Sequence, residues 1–144
     1  MKNNIVKWLK KLLVLFLLTY SLSAYCQNSV VIVTGTNYID VLTIGQLMNI
    51  YKGDVTEISN GVVSFLDHDR NTQIYKDFLK QYFNLTDEQM QKYWEKMKLE
   101  KGTRPPKFLP DAFLAKALIT IKGSISYYYE NKLPPNVTVV KIIK

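Results

Sequence analysis

The chain has 144 residues with one cysteine, Cys26, so one domain is expected and an intrachain disulfide is excluded. Its formal charge is +7, from 19 basic and 12 acidic residues. Four of those lysines fall within residues 1–26, which hold no acid; 15 basic against 12 acidic residues then remain, a net +3 too small to argue for nucleic acid.

Lys2, Lys7, Lys10 and Lys11 form a basic segment, Leu12 to Leu18 is an unbroken apolar run, and the small residues Ser21, Ser23 and Ala24 follow. This is the anatomy of a signal peptide over residues 1–26, with the folded domain over 27–144. The apolar run is short for a membrane span. Cys26 stands where a bacterial lipoprotein carries its acylated cysteine, but the bulky Tyr25 precedes it. The expected product is therefore periplasmic or secreted after cleavage near Ala24 or Cys26, rather than lipid-anchored.

The domain opens with a β-branched run, Ser29 to Val33, read as a strand buried on both faces. Thr34 to Asn37 forms a turn. Residues 42–53 carry both ends of a helix: Thr43 and Gln46 are spaced as a capping box, and Gly53 falls at the left-handed C-terminal position. Leu47, Ile50 and Tyr51 form its apolar face. A polar stretch with the turn pair Asn60-Gly61 leads to a second strand, Val62 to Leu66. Asp67 to Asn71 introduces a helix, capped by Asn71 or Asp69, with Ile74, Tyr75, Phe78, Leu79, Tyr82 and Phe83 on a broad inward face.

Thr86 and Gln89 form a second capping box, with Leu85 and Met90 placed as a hydrophobic staple. Met90, Tyr93, Trp94 and Met97 make that helix's inward stripe. After a basic loop from Glu100 to Pro106, Pro110-Asp111 restarts a helix through Phe113, Leu114, Ala117, Leu118 and Ile121, ended by Gly123. Two strands, Ile125 to Tyr129 and Val137 to Ile142, complete the chain. Tyr127 and Tyr129 share a face with Ile125 and so read as core, not as a base-stacking platform. The alternation predicts an α/β domain with a mixed sheet and helices on both faces.

Several pieces form an ordered set: Leu42-Thr43-x-x-Gln46-Leu47-x-x-Ile50-Tyr51-x-Gly53, Ile74-Tyr75-x-x-Phe78, Leu85-Thr86-x-x-Gln89, Tyr93-Trp94, Gly102-Thr103-x-Pro105-Pro106, and Gly123 to Tyr127. Together they resemble the small phosphate-transporter substrate-binding-protein-like family, within the type 2 periplasmic binding protein class. The resemblance spans roughly residues 29 to 142 and implies a single lobe of that fold. It also implies a non-catalytic, exported protein without a cofactor, whose relatives close two lobes over an oxyanion.

In such relatives a hydroxyl-bearing turn at a helix N-terminus, with an arginine nearby, holds the anion. The matching stretch is Arg70-Asn71-Thr72, and Thr34, Gly35 and Thr36 form a candidate second rim. Phosphate or another small oxyanion is the implied ligand. A protein-interaction module that meets an envelope partner, or self-associates, is the alternative. His68 lies between Asp67 and Asp69, but no other histidine exists to complete a metal site. No Gly-x-Ser-x-Gly is present, so no hydrolase is expected.

Overall fold

A computed structural model describes residues 28–35, 39–59 and 61–144. The signal-peptide reading, Cys26 and the candidate Thr36 lie outside the described residues.

Strand β1 (Val30–Thr34) is the β-branched run, with four of its five residues buried. Strand β2 (Val41–Thr43) runs directly into helix α1 (Ile44–Tyr51). The expected capping box is present: Thr43 Oγ1 accepts from the Gln46 N–H at 3.1 Å, and Gln46 Oε1 accepts from the Thr43 N–H at 2.8 Å. The helix ends as its glycine requires. Gly53 has φ 72°, its N–H donates to the Ile50 carbonyl, and the Asp54 N–H donates to that of Asn49.

The expected strand over Val62 to Leu66 is divided. Strands β3 (Glu57–Ile58) and β4 (Gly61–Val62) form a separate hairpin, and β5 (Ser64–Asp67) joins the main sheet. The backbone changes partner at Val63: its N–H donates to the Thr56 carbonyl, whereas that of Ser64 donates to Gly123.

Helix α2 (Gln73–Phe78) starts at Thr72, not at Asn71 or Asp69. Asp69 instead accepts from Asn71 and Thr72 in the turn before the helix. The helix widens into a π-helical turn, Leu79–Phe83, and stops at Asn84 with φ 53°. Helix α3 (Asp87–Lys101) has the Thr86/Gln89 capping box and ends on Gly102 at φ 67°. Strand β6 (Lys107–Phe108), unexpected from the sequence, precedes helix α4 (Asp111–Thr120). Strand β7 (Ser124–Tyr129), a 3-10 turn (Glu130–Lys132) and strand β8 (Thr138–Ile143) follow.

The main sheet has the order β2-β8-β1-β7-β5-β6. Strand β1 is antiparallel to both its neighbours, while β2/β8 and β7/β5/β6 are parallel pairings. The fold class is therefore α/β with a mixed sheet and helices on both faces. One face carries α1, α2 and α3 on a core that includes Ile32, Leu47, Phe65, Phe78, Met90 and Tyr127. Tyr51 sits among the rings of Phe65, Phe78 and Phe83 at 5.0–5.2 Å, and Phe78 stacks flat on Tyr127 at 3.9 Å.

Helix α4 lies on the other face. Leu114 and Leu118 are buried there, and the Ser124 hydroxyl, which points to that face, donates to the Leu118 carbonyl. Phe113, expected within this helix, is 63% exposed.

Gly35 follows β1 directly under α4. A Cβ at this position would lie 1.8 Å from the Leu118 carbonyl oxygen. Backbone on both sides cannot yield as a side chain would. Gly35→Ala is expected to cost about 3 kcal/mol, against about 1 kcal/mol for loss of the Thr86 cap in Thr86→Ala. Urea midpoints of the two variants check this order; equal midpoints would show that α4 does not press on the chain at Gly35.

Candidate functional site

The site is best built from Asp67, the last residue of β5. Its side chain is on the same face as Phe65 and is 6% exposed. A buried carboxylate must be hydrogen-bonded, and this one is. Oδ2 accepts from the Tyr51 hydroxyl at 2.9 Å. Oδ1 accepts from the Tyr127 hydroxyl and, at 2.9 Å, from the His68 N–H. Burial pushes the Asp67 carboxyl above its ordinary value, and hydrogen bonds from Tyr127, Tyr51 and the His68 amide pull back against it. Burial, reinforced by the Asp67 charge, also holds the Tyr51 and Tyr127 hydroxyls well above theirs. Tyr75 is pushed up to about 12, first by burial and then by Asp67.

His68 is buried behind this group. Its Nδ1 lies 2.9 Å from Asp111 Oδ1 and its Nε2 lies 2.7 Å from the Tyr127 carbonyl oxygen. The ring packs on Tyr127 and Tyr128, with centroids 4.8 and 5.1 Å away. Both nitrogens are thus taken up in tying β5 to α4 and β7. Among the described residues no group of histidine, cysteine, aspartate and glutamate side chains is placed to hold a metal ion.

In front of Asp67 opens a cleft of about 320 Å³. It sits at the C-terminal ends of the parallel strands β5 and β6, where open α/β sheets place their ligands. One rim is the loop Asp69, Arg70 and Asn71; the other is Pro105, Pro106 and Phe108; Tyr75, Gln91 and Trp94 line the wall between. Arg70 is exposed, and its Nη2 donates to Asp87 Oδ2 at 3.0 Å. Asn71 donates to Asp69 Oδ1 from both its backbone N–H and its Nδ2, each at 2.9 Å. Thr72 turns its hydroxyl onto the Asp69 carbonyl at 2.5 Å, so the first amides of α2 have no side-chain cap.

The structure brings Arg70 and Asn71 to this cleft, with Thr72 behind them. Thr34 and Gly35 lie elsewhere. Strand β1 runs against β7, so its Thr34 end is level with Ile125 and Phe65, and the chain continues away from Asp67. Thr34 is buried, and its hydroxyl donates to the Ser124 carbonyl at 2.9 Å. Sequence reasoning passed over Asp67, Gln91 and Phe108 as lining residues. The available signal was the carboxylate closing an apolar strand, Phe65-Leu66-Asp67, a position that sheet topology places at a cleft.

No family model matches the chain, and no curated protein matches it. Solved structures do. A Vibrio cholerae ABC-type phosphate transport receptor superposes with a TM-score of 0.59 at 14% identity, over 78% of this chain and 45% of that one. A Clostridium perfringens structure, described as a phosphate ABC transporter substrate-binding protein with bound phosphate, gives a TM-score of 0.57 at 16% identity, over 78% and 44%. The fold is therefore that of the phosphate-binding-protein class. The chain spans less than half the length of the solved structures it matches.

The raised Asp67 value has a consequence for stability. A carboxyl whose folded value exceeds its ordinary 3.8 contributes stability that is fully present below 3.8 and lost as pH rises through the raised value. Wild-type protein should therefore lose stability relative to Asp67→Asn as pH climbs from about 4 towards neutrality. Urea unfolding of both proteins across that range tests this. Parallel profiles would mean that Asp67 titrates alike folded and unfolded.

Proposed function

We propose that this protein is an exported, non-catalytic binding protein that takes a small oxyanion of the phosphate class in the cleft beside Asp67. One observation carries the reading. In a fold of the phosphate-binding-protein class, the cleft at the ends of β5 and β6 has a guanidinium and an asparagine side by side on one rim. Arg70 supplies a charge-assisted contact and Asn71 a side-chain amide. The acids nearby are engaged: Asp67 by the tyrosines, Asp69 by Asn71, and Asp87 by Arg70 itself.

With Arg70 and Phe108 both exposed, the cleft is open on one side. A second wall for it comes from an envelope partner or from another copy of the chain. The same reading puts the protein in the periplasm, and its support there is the leader-like composition of residues 1–26 together with the fold class.

Calorimetric titration with phosphate at low ionic strength, with sulfate as the control, is the direct test. Saturable phosphate binding that weakens by about tenfold or more in Arg70→Ala is expected for a lost charge-assisted contact. Absence of heat and of any thermal shift at millimolar phosphate would defeat the proposal and turn attention to protein partners.

A further inference from the structure

The composition of the cleft wall is at odds with a bare inorganic ion. A tetrahedral oxyanion needs donors around it to replace its water. Arg70 and Asn71 supply these on one rim, and Tyr75 and Gln91 stand in the wall beside it. The facing side is Pro105, Pro106 and Phe108, with Trp94 between. Proline has no N–H to give. Phe108 is 50% exposed at the rim, whereas Trp94 is 5% exposed and set into the core beside Tyr93 at 5.0 Å. The 320 Å³ of the cleft falls in the range of sites for organic molecules, which are mostly apolar with a few placed polar groups.

We propose that the ligand is a small organic phosphate. Its oxyanion head lies against Arg70 and Asn71, and a planar apolar substituent lies between Trp94, the Pro105-Pro106 pair and Phe108. This rests on the oxyanion-binding reading above and names the ligand class within it. The flat substituent covers the exposed Phe108 ring and removes apolar surface from water on both molecules. Stacking on an aromatic side chain then adds directional preference for planar groups. The acid nearest the floor, Asp67, has both oxygens occupied by the tyrosine hydroxyls and the His68 amide. It therefore shapes the cleft without receiving the ligand.

The test compares inorganic phosphate, phenyl phosphate and phenol by calorimetry on the same protein. Phenyl phosphate is expected to bind about tenfold tighter than inorganic phosphate, and phenol far more weakly than either. Phe108→Ala should bring the preference for phenyl phosphate down towards parity. Trp94→Phe keeps the core filled and should reduce the preference in part; it serves as the second variant in case Phe108→Ala fails to fold. Equal affinities for phenyl phosphate and inorganic phosphate would overturn this inference and leave the oxyanion site standing. Tight phenol binding would overturn it as well, by showing that the oxyanion head is dispensable. Failure of all three to bind would overturn both.

Discussion

A carboxylate held in the interior must be matched by donors, and the fold of this protein converges on one such match. Asp67 ends β5 inside the aromatic core and collects hydrogen bonds from α1 through Tyr51, from β7 through Tyr127 and from its own neighbour His68. Removing any one of these would leave the buried carboxyl a donor short, at a cost of about 1–3 kcal/mol. The donors cannot move independently, because the Tyr51 ring is packed among Phe65, Phe78 and Phe83, and the Tyr127 ring is stacked on Phe78. Hydroxyl placement and ring packing therefore enforce each other. The result is a stiff floor at the end of the sheet where this cleft opens.

The rest of the cleft is assembled on that floor. His68 reaches from the end of β5 to Asp111 at the start of α4, so the helix on the far face is tied to the same point as the core on the near one. Immediately after it the chain turns through Asp69, Asn71 and Thr72, where a set of short-range bonds fixes the entry to α2. Arg70 projects from this turn and is steadied by Asp87 at the start of α3. Each half of the rim thus inherits its position from an element of the core. The outer half, Pro105 to Phe108, does so through the pairing of β6 with β5.

What could be read from the sequence follows the range of the interactions concerned. The caps at Thr43 and Thr86 and the glycine stops at Gly53 and Gly102 depend on residues within one turn, and all four stand where the spacing puts them. Strands β2 and β6 were not legible. They have three and two residues, and exist because Lys141–Ile143 and Leu66–Asp67, distant in sequence, lie alongside them. Arg70 and Asn71 could be placed from the sequence at the entry to a helix whose apolar face is obvious, and both line the cleft. Tyr51, Trp94 and Phe108 meet at the cleft only through the fold. The first two also fill the core, and their hydrophobic periodicity announces that role alone.

One arrangement near the start of β1 does a further task. Strand β8 pairs with β1 over Ile32, Val33 and Thr34, so among the described residues Val30 has no strand partner on that side. Gln81, carried on the π-helical turn, fills the vacancy: its Oε1 accepts from the Val30 N–H at 3.0 Å and its Nε2 donates to the Val30 carbonyl at 2.6 Å. The Tyr82 hydroxyl donates to the same carbonyl at 2.8 Å. A primary amide has the donor and acceptor of a peptide group, so the side chain stands in for a strand residue. Unpaired backbone at a sheet margin is a template on which foreign chains add and aggregates grow. Here that template is filled by the protein's own glutamine, and the widened helical turn has a protective purpose as well as a geometric one.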